Sequence, residues 1–149
     1  MELVPDFELP ATGSRRFRLT ALRGAPLVLY FYPKDATPGC TDEGLQFKAL
    51  YEQFCHLKCT ILGISRDSIA SHERFKGKME FPFDLLSDEE EKACNLFGVM
   101  KQKNMYGKQV RGIERSTFVI DTVGCLRREW RGVSVPGHAQ EVLDFVKSL

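Results

Sequence analysis

The sequence predicts an α/β protein with a central mixed β-sheet that is flanked by helices and preceded by an N-terminal β-hairpin. Continuous apolar runs bounded by glycine or proline are typical of strands that are buried on both faces. Stretches with apolar residues at helical spacing lie between these runs, so strand and helix alternate along the chain. With 149 residues and a hydrophobic fraction of 43%, the chain can build one sizeable core, and we expect one domain covering residues 1–149.

The first part of the chain predicts the hairpin and then alternating strands and helices. Apolar residues at 7–9 and 17–19 flank a turn that contains Pro10, Gly13 and Ser14, which is typical of a small hairpin against a larger body. The run from Pro26 to Tyr32 predicts a central strand. The later predicted elements are a helix from Thr41 to about Leu57, a strand at 59–65, a helix at 68–78, a short strand at 83–86 and a short helix at 89–97.

The last part of the chain predicts two strands and a helix. Residues 101–114 are polar and contain glycine, and no helix or strand is assigned to them. Strands at 117–120 and 126–130 flank a turn and predict a second hairpin, and the apolar stripe of residues 139–149 predicts a closing helix. A β-α-β half followed by a β-β-α half is the arrangement of a thioredoxin-like fold.

Charge and hydropathy narrow the range of partners. Lysine and arginine total 21 against 20 acidic residues, so no strong field favours nucleic acid or an anionic membrane. The start of the chain lacks the basic and apolar segments of a secretory signal, and no apolar run approaches the roughly 20 residues that span a bilayer. We expect a soluble, cytoplasmic protein with no nucleic-acid and no membrane partner.

The cysteines indicate a reducing compartment rather than a disulfide framework. They are odd in number and do not form tight pairs; their positions are Cys40, Cys55, Cys59, Cys94 and Cys125. The segment from Cys55 to Cys59 also contains His56, but a zinc site there lacks a fourth ligand. Buried cysteines that pack as small hydrophobic residues fit this segment better, and we expect neither a metal nor another cofactor.

Cys40 occupies a position that favours thiolate chemistry. Thr37 as N-cap and Pro38 as first helical residue place Cys40 third in the first turn of a helix, among unpaired backbone N–H groups. Thiols at helix N-termini can have pKa values well below the usual value of about 8.5, and the thiolate is the nucleophilic form. The position also follows a central strand, at the edge where open α/β sheets bind ligands.

Pro33, Thr37 and Cys40 form the pattern Pro-x-x-x-Thr-x-x-Cys, which resembles the active-site signature of the peroxiredoxins. Residues 30–41, YFYPKDATPGCT, and residues 112–121, GIERSTFVID, are similar to the peroxiredoxin Q group, also called bacterioferritin comigratory proteins. The similarity extends from about Val4 to Leu149. It implies a thiol-dependent peroxidase that reduces hydrogen peroxide and organic hydroperoxides.

The resemblance also implies roles for individual side chains. Cys40 would be the peroxidatic cysteine, which attacks a peroxide oxygen and becomes a sulfenic acid. The hydroxyl of Thr37 would hydrogen-bond the peroxide or the thiolate, and Pro33 would shield the pocket from bulk water. Arg115 would stabilise the thiolate and the negative charge on the leaving oxygen.

Two further residues complete the implied site, and several of its members have structural alternatives. Glu43 would orient the arginine, and the backbone N–H groups of Gly39 and the cysteine would complete an anion site. Glu43 could equally stabilise the first turn of its helix, and Thr37 could be a capping residue only. An arginine such as Arg115 is more often a surface charge, and only its sequence context favours the functional interpretation.

The sequence departs from the family pattern at the resolving cysteine. The two usual positions for that cysteine hold Leu45 and Lys76. Cys55 lies fifteen residues beyond the peroxidatic cysteine, or about 22 Å along one predicted helix, which is far beyond the Cα separation of about 4.4–6.8 Å in a disulfide. Spacing alone excludes neither Cys94 nor Cys125. We expect recycling by an external thiol, which could be thioredoxin, glutaredoxin or a low-molecular-weight thiol.

Two other functions are compatible with a thioredoxin-like fold. A disulfide reductase of the thioredoxin type needs two cysteines one turn apart, but Glu43 stands three residues after Cys40. A non-enzymatic binding module or chaperone is the alternative from another class, because fold alone does not fix function. The complete signature argues against that alternative. Similar proteins are often monomers, and we expect a monomer or a weak homodimer.

Overall fold

The computed structural model describes residues 2–149, which form ten β-strands and five α-helices. The strands are β1 (Glu2–Leu3), β2 (Glu8–Ala11), β3 (Arg15–Arg18), β4 (Leu27–Phe31), β5 (Thr60–Ser65), β6 (Asp84–Ser87), β7 (Met100–Met105), β8 (Lys108–Ile113), β9 (Ser116–Ile120) and β10 (Cys125–Arg131). The α-helices are α1 (Pro38–Ala49), α2 (Tyr51–His56), α3 (Ile69–Met79), α4 (Lys92–Phe97) and α5 (His138–Lys147), and a 3-10 helix covers Leu19–Leu22.

Eight strands form a mixed sheet in the order β1-β10-β9-β4-β5-β6-β2-β3, while β7 and β8 pair separately. The centre consists of β4, β5 and β6 in parallel, with β9 antiparallel to β4. All five residues of β4 are buried, which explains why its apolar run is uninterrupted. The predicted fold class, a thioredoxin-like α/β fold with a mixed central sheet, is confirmed.

The sheet separates the core into two hydrophobic clusters. Successive strand residues point to opposite faces, so Leu29 and Phe31 pack with α4 and the N-terminal hairpin. Val28 and Tyr30 pack on the other face with residues from α1, α2, α3 and α5. The face with four helices also contains Cys40. No helix within residues 2–149 is long and apolar enough to cross a membrane.

The structure adds the short strand β1 and a 3-10 helix to the predicted elements and differs from the prediction in three further places. The helix predicted up to about Leu57 is two helices, because Leu50 leaves helical geometry with φ −101° and ψ 5°, whereas its start at Pro38 after the N-cap Thr37 is as predicted. Residues 100–113 form the hairpin β7–β8, whose strands are largely exposed and therefore lack the apolar alternation of a half-buried strand. The N-terminal hairpin extends the main sheet through the pairing of Ala11 with Leu86. The other predicted elements are present with ends shifted by a few residues.

Gly44 of α1 allows the ring of Phe81 to approach the helix backbone. A Cβ atom built at Gly44 would lie 2.4 Å from the nearest ring carbon of Phe81. The Phe81 ring is itself held by Phe75 at an edge-to-face centroid distance of 5.1 Å and by Phe83, which stacks on it at 5.2 Å. A side chain at position 44 therefore has no room unless this aromatic group moves.

We predict that Gly44→Ala destabilises the protein. Overpacking a core contact costs about 1–3 kcal/mol, which outweighs a gain in helix propensity of at most about 1 kcal/mol. The free energy of unfolding should fall by about 1–2 kcal/mol, and chemical denaturation followed by circular dichroism would measure it.

Gly77 of α3 is the matched control for this substitution. It is exposed, and no heavy atom lies within 4 Å of a Cβ built there, so Gly77→Ala should raise the free energy of unfolding by about 0.5–1 kcal/mol. If both alanine variants were stabilised alike, the contact between Gly44 and Phe81 would not constrain α1.

Candidate active site

The loop between β4 and α1 brings Cys40 to the edge of the sheet. Thr37 has the extended backbone of an N-cap residue, with φ −85° and ψ 154°, and Pro38 occupies the start of α1. The first backbone hydrogen bond of α1 runs from the N–H of Thr41 to the carbonyl of Thr37, at 2.9 Å. Cys40 is therefore third in the first turn, as predicted, and its N–H and that of Gly39 precede the first helical hydrogen bond.

Arg115 meets Cys40 because β4 and β9 are neighbours. Phe31, the last residue of β4, pairs with Ser116, the first residue of β9, so Arg115 stands at the same end of the sheet as Cys40. Its Nη2 donates to Cys40 Sγ at 3.4 Å. Only 2% of Cys40 is exposed, so the sulfur faces the guanidinium with little competition from water.

The backbone around Arg115 is fixed on both sides. The hydroxyl of Ser116 donates to the carbonyl of Glu114 at 2.8 Å, so the residues on either side of the arginine are bonded to each other. The N–H of Val133 donates to the carbonyl of Arg115 at 3.0 Å. These contacts fix the main chain from which the Arg115 side chain extends and leave the guanidinium donors free for other partners.

Glu43 is the second partner of Arg115. The arginine Nη1 donates to Glu43 Oε1 at 2.7 Å, and Glu43 is 1% exposed. Burial raises the pKa of Glu43 to about 7, although the charge and the hydrogen bond of Arg115 act in the opposite direction. Burial alone would lower the pKa of Arg115. The neighbouring Glu43 and Cys40 together have a larger effect in the opposite direction, so the arginine pKa is raised. The guanidinium is thus a permanent positive charge beside the sulfur.

Gly39 leaves room for the guanidinium beside the first turn of α1. A Cβ atom built there would lie 3.1 Å from Arg115 Nη2. A residue with a side chain would therefore be in tight contact with the group that donates to the sulfur. Sequence reasoning assigned Gly39 only its backbone N–H, because the close approach depends on a residue 76 positions away.

Thr37 and Pro33 belong to the loop that connects β4 to α1. The hydroxyl of Thr37 donates to the carbonyl of Lys34 at 2.8 Å, so the implied hydrogen bond from this hydroxyl to the thiolate is not formed here. A hydroxyl has one proton and two lone pairs, so Thr37 Oγ1 can still accept a hydrogen bond. Pro33 is half-buried and directly follows Tyr32, a buried residue just beyond the end of β4.

Sequence reasoning gave no role to Asp35 and His72, which the structure places together beneath this loop. Both are buried, and the carboxylate Oδ2 of Asp35 lies 2.7 Å from Nδ1 of His72. No local pattern reveals such a contact, because loop aspartates are usually solvated and the two residues lie on different elements. His138, also without an assigned role, lies with its Nε2 2.7 Å from Thr117 Oγ1, and burial lowers its pKa to about 4.

The other four cysteines lie away from the site. Cys94 packs in the hydrophobic cluster on the opposite face of the sheet, and burial raises its pKa. Cys59 precedes Thr60, which pairs with the start of β4, and burial raises its pKa to about 12. Cys55 is exposed near the end of α2, and Cys125 is half-buried at the start of β10. Cys55, Cys59 and Cys125 lie away from the end of β4 that leads to Cys40, and Cys94 is separated from Cys40 by the sheet.

Comparisons with known proteins agree with this geometry. Residues 2–129 match the AhpC/TSA family. Peroxiredoxin Bcp of Xanthomonas campestris is 51% identical over 143 residues, which cover 96% of this chain and 89% of that protein. Peroxiredoxin Bcp of Bacillus subtilis is 46% identical over 145 residues, with coverage of 97% and 92%.

A solved structure has the same fold. The structure of the X. campestris bacterioferritin comigratory protein, described in connection with alkyl peroxide reduction and a trapped intermediate or ligand complex, has a TM-score of 0.93 and 49% identity. The match covers 99% of this chain and 96% of that one. The chain therefore belongs to the AhpC/TSA family and, within it, to the peroxiredoxins of the Bcp or peroxiredoxin Q group, which are thiol-dependent enzymes that reduce peroxides.

Proposed function

We propose that the chain reduces hydrogen peroxide and organic hydroperoxides, alkyl hydroperoxides included, by attack of the Cys40 thiolate. The observation that supports this assignment is the 3.4 Å contact between Arg115 Nη2 and Cys40 Sγ at the start of a helix. The guanidinium and the unpaired N–H groups of the first turn favour negative charge at this point. Alkyl peroxide reduction by the Xanthomonas relative is consistent with the same chemistry.

In the proposed reaction the sulfur attacks the terminal oxygen of the hydroperoxide. The S–O bond forms as the O–O bond breaks, and the electron pair of the broken bond leaves with the second oxygen as hydroxide or alkoxide. That anion takes a proton from solvent, and the hydrogen of the attacked oxygen remains on the sulfenic acid. Arg115 and the N–H groups of Gly39 and Cys40 stabilise the charge that develops on the two oxygens.

The remaining side chains bind and shield the substrate. The hydroxyl of Thr37 donates its hydrogen bond to the carbonyl of Lys34, so a lone pair of Oγ1 can accept the hydrogen bond of the peroxide O–H. Glu43 orients the guanidinium through its 2.7 Å contact. Pro33 covers the loop side of the pocket and limits the entry of water.

We also propose a one-cysteine cycle in which an external thiol restores Cys40. The first thiol displaces water from the sulfenic acid and forms a mixed disulfide, and a second thiol releases the cysteine. Thioredoxin, glutaredoxin and low-molecular-weight thiols are the candidate reductants. The positions of Cys94 and Cys125 support this cycle, because the first lies across the sheet and the second at its far end.

The setting that we propose for this cycle is a single domain of residues 1–149 that acts as a monomer or weak homodimer in the cytoplasm. The odd number of cysteines fits a reducing compartment, where thiol reductants are available.

Cys40→Ser should abolish peroxide reduction and leave the fold intact, because the hydroxyl replaces the sulfur with little change in volume. Peroxide consumption with a thiol donor would measure the loss, and circular dichroism would check the fold. Serine variants at the other four cysteine positions are the controls and should retain most activity. Substantial activity in Cys40→Ser would refute the assignment of the nucleophile.

Arg115→Met should slow peroxide attack by at least about 100-fold, since one charged donor to a developing oxyanion contributes roughly that much. Stopped-flow measurement of the peroxide rate constant would test this loss. Arg131→Met is the control, because Arg131 bonds the carbonyl groups of Phe97 and Gly98. Equal rates for the two variants would remove Arg115 from the site.

One equivalent of peroxide should leave Cys40 as a sulfenic acid that a dimedone-type reagent can trap. Excess peroxide should convert it further to the sulfinic acid, because no second thiol removes the first product quickly. Peptide mass mapping with and without the trap would measure both products. Near-quantitative formation of a disulfide that contains Cys40, with no trapped adduct, would refute the one-cysteine cycle but leave the peroxidase assignment intact.

A further inference from the structure

A buried acid–histidine pair lies beneath the loop that leads to Cys40. Asp35 belongs to this loop and is 7% exposed, while His72 of α3 is fully buried. The pair joins the loop to a helix that contributes no residue to the site described above. Nδ1 of His72 lies 2.7 Å from Oδ2 of Asp35, which is the distance of a charge-assisted hydrogen bond.

Every oxygen of the Asp35 carboxylate has a donor. Oδ1 accepts from the hydroxyl of Tyr32 at 2.7 Å, and Oδ2 accepts from the hydroxyl of Ser71 at 2.8 Å as well as facing His72. Burial alone would raise the pKa of Asp35, but the hydrogen bonds and the charge of His72 outweigh burial and lower it. The carboxylate is therefore held in its ionised form.

The two ring nitrogens of His72 both face acceptors. Nδ1 faces the Asp35 carboxylate, and Nε2 lies 2.9 Å from the carbonyl oxygen of Leu86, which can only accept. Only the doubly protonated ring donates to both groups at once. The imidazole of His72 thus links the active-site loop, α3 and β6 in a region from which water is excluded.

The loop backbone has a second anchor that does not involve the histidine. The N–H of Asp35 donates to the carboxylate of Asp67 at 3.0 Å, and the hydroxyl of Ser65 donates to the same oxygen at 2.6 Å. The hydroxyl of Ser87 holds the backbone carbonyl of Asp67 at 2.6 Å. The side chain of Asp35 is therefore held by α3, and its main chain is held through Asp67 to β5 and β6.

The loop needs such anchors because its backbone is strained at one position. Ala36 has φ +62°, a left-handed conformation that costs a residue with a Cβ atom about 1 kcal/mol or more. Thr37 follows Ala36 directly, and α1 begins one residue later. A shift of Asp35 would thus move Thr37 and the first turn of α1. Arg115 would not move with them, because it is attached to the start of β9.

We propose that Asp35 and His72 are positioning residues for peroxide reduction, which hold the loop so that Thr37, Cys40 and Arg115 surround the substrate in reacting geometry. Neither side chain contacts the sulfur. They contribute by keeping the catalytic groups correctly placed when the peroxide approaches. A displacement of such groups by about 1 Å can lower the rate of reaction roughly 100-fold. This inference rests on the proposed attack by Cys40, which the Cys40→Ser experiment tests separately.

The experiment compares two reactions of the same cysteine in Asp35→Asn, His72→Gln and the double variant. Single-turnover oxidation by hydrogen peroxide requires the positioned pocket, whereas alkylation by iodoacetamide requires only an accessible thiolate. We expect each single variant to lose at least about tenfold in the peroxide rate constant while the alkylation rate stays within about twofold. The double variant should be about as slow as either single variant, because both changes break one contact.

Lys76→Met is the matched control for these variants. Lys76 lies on α3 and forms a partly buried ion pair with Asp84 at 2.8 Å, so its loss perturbs the same helix without touching the loop. The peroxide rate constant of Lys76→Met should equal that of the wild type. All rates are measured well below the melting temperature of the least stable variant, so that unfolded protein does not contribute.

Three results would overturn the inference. The first is an unchanged peroxide rate in folded Asp35→Asn and His72→Gln, the second is a loss that alkylation shares equally, and the third is independent, additive losses in the double variant. If these substitutions prevent folding, Ser71→Ala replaces them, since it removes a single donor to Asp35. It should slow peroxide oxidation by about threefold with alkylation unchanged, and an unchanged peroxide rate would overturn the inference.

Discussion

Strand pairing between β4 and β9 determines the geometry of the whole site. Five consecutive pairs, from Leu27 with Ile120 to Phe31 with Ser116, fix the register of these two strands in the centre of the sheet. A shift by one residue would turn their buried side chains to the other face, so the core allows only one register. That register sets the guanidinium of Arg115 against the sulfur of Cys40, although 75 positions separate them.

The same arrangement places ionisable groups where water cannot stabilise them. Raising the pKa of Glu43 from 4.5 to about 7 corresponds to a cost of about 3 kcal/mol for ionising this buried carboxyl group in the folded protein. The native state binds the proton more tightly than the unfolded chain, so this group lowers stability progressively as the pH rises from about 4.5 to 7. The two strands and the aromatic core must offset that cost, which illustrates how a site for anionic chemistry depends on packing elsewhere.

The amino-acid pattern was sufficient to predict the fold class and the position of Cys40 in the first turn of a helix. It carried much less information about the side chains that surround this cysteine. Thr37 and Pro38 are local signals, so they located the start of α1 correctly. The association of Arg115 with the cysteine came only from the family resemblance, because spacing along a chain does not reveal a contact across strands. The β7–β8 hairpin and the pairing of Asp35 with His72 were missed for physical reasons. An exposed hairpin has no apolar period, and burial of a loop aspartate depends on the tertiary fold.

The architecture of the sheet also limits how an oxidised Cys40 can react within the chain. Cys94 packs on the opposite face, so the whole thickness of the sheet lies between the two sulfurs. Cys125 lies beyond Ile120, at the far end of a strand that spans about 13 Å from Ser116. Both separations are set by the register and by the buried side chains of β4 and β9, and side-chain rotation changes neither of them. A disulfide between Cys40 and either of these two cysteines therefore requires the elements that hold them to come apart.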